Sequence, residues 1–185
     1  MKRTILAGIL GGLAMFLWSG IAHMALPLGE AGIQQIPNEG ALLAAMQTVL
    51  PSHGLYMFPN MPAGMTQEQY QTKVTSGPSG LLIYFPKRDF SFGRSLAVEY
   101  TTELLMALLV TYLLSTSSAA SFGARFGFFA LAGLIAAFGT NMSYWNWYGF
   151  PSGYSFAYMF TIWMGYVFAG VVAASMKIGG SKMPS

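Results

Sequence analysis

Glu99 and Glu103 stand four residues apart in the stretch Ser95 to Ser115, SLAVEYTTELLMALLVTYLLS, whose remaining residues suit a membrane-spanning helix. Residues at i and i+4 share a helix face, and a rise of 1.5 Å per residue sets Glu103 about 6 Å deeper than Glu99. Acids near a helix start are favoured by the helix dipole by about 0.3 to 1 kcal/mol each. Lys87, Arg88 and Arg94 lie just upstream to offset the charge. Depth changes the balance. An acidic residue at the centre of a membrane helix costs about 2.5 to 3.5 kcal/mol. Glu103, expected two turns in, therefore requires a partner, a proton or water, whereas Glu99 is expected at the interface.

Partners of matching depth are His23, near the end of the first apolar stretch, and Asn141, Tyr144 and Asn146, near the end of the third. An antiparallel bundle would gather these ends, so a polar cluster of His23, Glu99, Glu103 and Asn141, with Tyr144 beside it, is expected at the outer ends of the first three spans. One imidazole with two carboxylates suits a hard or borderline divalent ion. His23, Glu99 and Glu103 are accordingly the candidate metal ligands, and His53 would add a second nitrogen if its segment folded over them. The competing explanation is structural: dipole-favoured acids beside a hydrogen-bonded interfacial histidine. No HxH or HExxH spacing is present, and nothing in the pattern specifies a cofactor.

Other chemistry finds little support. With no cysteine there is neither a thiolate site nor a disulfide framework. The turn GPSG lacks the spacing and lysine of a phosphate loop, and no G-x-S-x-G elbow positions a serine nucleophile. Met57, Met61 and Met65 recur at four-residue spacing and would suit Cu(I), but Pro59 and Pro62 interrupt any regular helix there. No catalytic constellation emerges, so an enzyme is the less favoured reading.

The elements that must position these residues follow from composition. Charged residues are 8% of the 185-residue chain and apolar residues 54%, against about 25% charged in soluble domains. Mean hydropathy is +0.50. A net charge of +3, with bases at segment ends rather than in a stripe, leaves nucleic-acid binding without an electrostatic footprint. Apolar runs at Thr4–Leu26, Leu96–Leu114, Phe126–Tyr144 and Tyr154–Met176 each approach the 20 or so residues that cross a bilayer. The first has a basic start but exceeds a signal-peptide core and lacks a clean A-x-A site, which favours an uncleaved anchor. Gly8/Gly12, Gly123/Gly127, Gly133/Ala137 and Gly165/Ala169 are small pairs at the spacing that lets helices approach in lipid.

Between the first two spans, Asn38 and Thr66 are expected to cap two helices, the second with a capping box to Gln69. The runs HGLYMFP and SGLLIYFP are expected to pair as a small sheet. The expected fold is thus an all-α membrane protein of four transmembrane helices with a small α+β extracytoplasmic cap. Residues 1–26 form the first span, 27–95 the cap, resting on the membrane or the helix ends, and 96–185 the remaining spans. Lys2, Arg3, Arg125, Lys177 and Lys182 fall on one side, which the positive-inside rule makes cytoplasmic. That places both termini inside, the cap outside an inner membrane, and an aromatic belt from Tyr144 to Tyr154 on the outer face. Expected partners are the lipid bilayer and other membrane subunits or further copies of the chain. The leading functional expectation is a non-catalytic accessory subunit; the alternative is a small transporter or a metal- or cofactor-binding protein using the polar cluster.

Overall fold

The computed structural model describes residues 1–180. Its elements in chain order are α1 (Lys2–Met24), α2 (Glu39–Val49), β1 (Gly54–Phe58), α3 (Gln67–Ser76), β2 (Gly80–Tyr84), α4 (Phe92–Ser115), α5 (Phe122–Tyr148) and α6 (Ser152–Ser175). Four of the six helices, α1, α4, α5 and α6, are long and apolar enough to cross a membrane. The chain divides into two compact units, one built from Met1–Ile33 and the chain from Ser91 onward, the other from Gln34–Phe90.

Helices α4 and α5 outrun their apolar cores because local capping chemistry extends them. The Ser91 Oγ accepts from the Arg94 N–H at 3.4 Å, so α4 begins at Phe92 rather than near Leu96. Ser121 caps α5 through the Ala124 N–H at 3.1 Å. At its far end α5 continues through Tyr148 and stops at Gly149, whose φ of 72° is the left-handed conformation that ends helices at low cost in glycine. Asn146, Trp147 and Tyr148 are therefore helical, not part of a turn.

Within the helical unit α1 packs along both α4 and α6, and α6 along α5, whereas α4 meets α5 and α6 only slightly. The pairings are antiparallel. A Cβ on Gly8 would meet Leu108 and one on Gly12 would meet Leu104, while Gly11 faces Ala169 and Gly165 faces Met15. Likewise Gly133 opposes Tyr166 and Gly170 opposes Phe129. Of the small-residue pairs, Gly8, Gly12, Gly133 and Gly165 are at helix contacts, but Gly123 and Gly127 have nothing within 4 Å. Gly11 and Gly170 carry close contacts that the four-residue spacing did not single out.

The burial pattern inverts that of a soluble bundle. On α1 the inward residues are Ala7, Gly8, Gly11, Gly12 and Met15, while Leu6, Leu10, Leu13, Leu17 and Ile21 point outward. The same holds for α4, with Ala107 and Thr111 inside and Leu105, Leu109 and Leu113 outside. Small residues inside and large apolar residues outside suit a surround of lipid, where close backbone packing rather than apolar burial joins helices. At the end of the unit shared by the starts of α1 and α5, the buried Arg125 donates from Nε to the Ile178 carbonyl at 2.7 Å. Lys177 therefore lies at the same end, while Lys182 lies outside the described residues.

In the other unit the Asn38 side chain accepts from the Ala41 N–H to cap α2. Thr66 and Gln69 complete the expected capping box on α3. Strands β1 and β2 pair antiparallel, with Leu55 opposite Ile83 and Met57 opposite Leu81. Alternation then separates two faces: Tyr84 is buried, whereas Leu55, Met57 and Ile83 are exposed.

Candidate functional site

Because capping starts α4 at Phe92, Glu103 lies eleven residues into the helix, roughly 16 Å along its axis. It sits level with Gly12, near the middle of α1, since a Cβ on Gly12 would stand 3.4 Å from the Glu103 carbonyl oxygen. The side chain is 7% exposed, and its Oε2 has no hydrogen-bond partner among the described residues. It belongs to the inward stripe Glu103, Ala107, Thr111 and Leu114, so the packing that buries α4 against α1 also buries the acid. A buried polar atom without a partner is uncommon and costly, which marks a place where a ligand or water belongs.

Glu103 lines a cavity of about 270 Å³ between α1, α4 and α6, to which α5 contributes only Ala136. His23 and Glu99, both exposed, line the same cavity. The three candidate ligands therefore share one space, but among the described residues no three His, Cys, Asp or Glu side chains are grouped so as to hold a metal ion.

The donors around the cavity are largely committed to backbone carbonyls. Trp18 Nε1 donates across the α1–α6 contact to the Thr161 carbonyl at 2.9 Å. Thr102 Oγ1 donates to Val98 and Thr161 Oγ1 to Ala157, each at 2.9 Å. The His23 Nδ1 lies 3.0 Å from the Ser19 carbonyl, which can only accept, so that nitrogen carries the proton. In the neutral ring Nε2 is then an acceptor. No lysine or arginine lines the cavity among the described residues, and Met15, Met106 and Ile162 form apolar wall. A wider groove of about 680 Å³ runs between α1 and α4 and shares Ser19, His23, Glu99 and Tyr158 with the cavity.

The two α5 residues of the expected cluster lie outside the lining of this cavity. Asn141 is buried, but its Nδ2 donates to the Ala137 carbonyl of its own helix at 2.8 Å, and it does not line the cavity. Tyr144 stacks on Phe150 with ring centroids 5.3 Å apart and is likewise absent from the lining. The reason is packing: α5 lies chiefly along α6 and meets α4 only slightly, and Ala136 is its one residue in the lining. His53 stacks against Phe85 within the smaller unit. Residues the sequence did not single out, Trp18, Tyr158 and Thr161, take the places given to α5. Trp18 offered the one usable signal, an indole N–H in an apolar helix that requires an acceptor. No family model, curated protein or solved structure matches the chain.

Proposed function

We propose that this chain is a multi-pass inner-membrane protein that binds a small solute in the cavity between α1, α4 and α6, as a small transporter or ligand-binding subunit. The observation that carries the reading is Glu103, buried at mid-helix with an unpartnered Oε2 beside a cavity. An ionisable residue within a membrane span is rare and is retained where a substrate, ion or proton is handled. The cavity lies just below the range of about 300 to 1,000 Å³ typical of small-molecule sites and combines apolar walls with few polar groups, as such sites do. Orientation follows the basic residues, with the ends of Arg125 and Lys177 cytoplasmic and the unit Gln34–Phe90 outside.

A second reading, an accessory subunit without a ligand of its own, draws support from the hairpin, whose face of Leu55, Met57 and Ile83 is left uncovered. The two readings separate on one preparation. Protein purified from its native membrane in mild detergent is analysed by native mass spectrometry beside a Gly165→Leu variant. Gly165 lines the cavity and a Cβ there meets only ordinary contacts with Met15, so the larger side chain fills the space. Solute binding predicts a bound small mass on the wild type that the variant lacks. Stoichiometric foreign subunits, with no small mass on either protein, would favour the accessory role.

A further inference from the structure

We infer that the solute is an organic ammonium ion: a primary or secondary amine, protonated, attached to a compact apolar body. The inference rests on the solute-binding reading and adds the chemistry of the ligand. Among the described residues the acids lining the cavity, Glu99 and Glu103, face no lining lysine or arginine, and the uncommitted hydroxyls of Ser19 and Tyr158 can accept as well as donate. Glu103 lines the cavity and carries a buried, unpartnered carboxyl oxygen, and Glu99 stands one turn nearer the helix start. Meanwhile the donors of Trp18, Thr102, Thr161 and His23 Nδ1 are directed to backbone carbonyls. A ligand fitting this surround must bring its own N–H groups and positive charge. An anion would face two carboxyls with no lining base among the described residues. A neutral apolar molecule would leave the Glu103 oxygen unpaired, at a cost of about 1 to 3 kcal/mol or more.

The apolar body has a place as well. Trp18 and Tyr158 line the cavity, and aromatic rings of this kind attract ammonium groups through their quadrupoles. Through Ser19, His23, Glu99 and Tyr158 the cavity adjoins the groove between α1 and α4, whose remaining lining is chiefly apolar, including Phe16, Leu17 and Leu96. An amphiphilic amine can lie with its apolar part in that groove and its ammonium toward Glu103. The same ammonium chemistry is offered by a soluble amine and by the ethanolamine headgroup of a lipid.

The test uses the full chain in phosphatidylglycerol nanodiscs, with tryptophan fluorescence read during titration with 2-phenylethylammonium, the neutral 2-phenylethanol and the anionic phenylacetate. The expected result is saturable binding of the ammonium at least tenfold tighter than either isostere, weakened at least tenfold by Glu103→Gln. The comparison among isosteres needs no variant and so stands even if Glu103→Gln fails to fold. Repeating the titration with phosphatidylethanolamine in the discs distinguishes the sources. Weakened amine affinity identifies the headgroup as a competing occupant, and unchanged affinity identifies a soluble amine; both support the inference. Equal or tighter binding of the alcohol or the acid would overturn the ammonium assignment and leave a solute site standing. Failure of all three probes to bind, on protein confirmed as folded, would overturn the ammonium inference, while a small mass lost in Gly165→Leu would still sustain solute binding.

Discussion

At the scale of single residues, two buried oxygens lack partners among the described residues, Glu103 Oε2 and Thr111 Oγ1, and removing either should leave the fold at least as stable, while the Glu103 change alone should cost binding. Thr111 is fully buried two turns beyond Glu103 on the same stripe and lines neither cavity. Thr111→Val removes an unsatisfied hydroxyl while keeping the branched shape. It is expected to leave stability unchanged or raise it by about 1 kcal/mol, measured by denaturant unfolding of the purified protein; a loss larger than that would show that the hydroxyl has a partner. Glu103→Gln removes a group that is expensive to bury as a charge. With no amine present it should unfold at the same or higher denaturant concentration than the wild type, even as amine binding falls. A stabilising change that removes function is the signature of a residue retained for its site. The type and spacing of Glu99 and Glu103 were legible in the sequence, as was the requirement for a partner. Their surroundings were not, because lining by Trp18, Tyr158 and Thr161 depends on which helices touch.

At the scale of elements, the glycines distinguish contact faces from open ones. A methyl on Gly12 would stand 2.7 Å from the Leu104 Cα, and one on Gly133 would stand 2.6 Å from the Tyr166 Cβ. Neither neighbour atom can swing away, so the helices must part. Gly12→Ala and Gly133→Ala should each destabilise by about 1 to 3 kcal/mol. Gly127 has nothing within 4 Å, and Gly127→Ala should be neutral or stabilising by up to about 1 kcal/mol through helix propensity. Thermal unfolding of the three variants in one detergent checks the ordering, and equal losses at all three would contradict the helix contacts described. Because Gly12 also holds α1 against the Glu103 turn, Gly12→Ala should weaken amine binding as well as the fold. Element boundaries were readable at the caps Asn38 and Thr66 with Gln69, and at the two paired strands. They were misplaced where an apolar run alone was followed, since Ser91 and Gly149 set the ends of α4 and α5 beyond the hydrophobic stretch.

At the scale of the whole molecule, the antiparallel order brings the starts of α1 and α5 and the ends of α4 and α6 to one end of the helical unit, where Lys2, Arg3, Arg125 and Lys177 lie. The chain contains no cysteine, so single introduced thiols report topology without background. Ser118→Cys, between α4 and α5, is expected to react with a membrane-impermeant maleimide only after cells are permeabilised. Ser52→Cys, between α2 and β1, is expected to react in intact cells. The reverse pattern would invert the orientation, and reaction of both in intact cells would mean that α4, the long helix between them, does not cross the membrane. This prediction is independent of the ligand and bears on which side a solute enters.

Composition and apolar run length determined by themselves that four helices would be long and apolar enough to cross a membrane, and local capping and turn residues determined the small α+β segment between the first two. These properties depend on neighbours within a few residues, so the chain states them directly. Tertiary structure alone decided that α1 packs along α4 and that α6, far more than α5, lines the cavity beside Glu103. Helix partners in lipid are chosen by the fit of small and large side chains over whole faces, and several glycine-bearing faces here have similar spacing. That choice kept Asn141 and Tyr144 out of the cavity lining, brought Trp18, Tyr158 and Thr161 into it beside Glu103, and left the buried Glu103 Oε2 without a partner among the described residues.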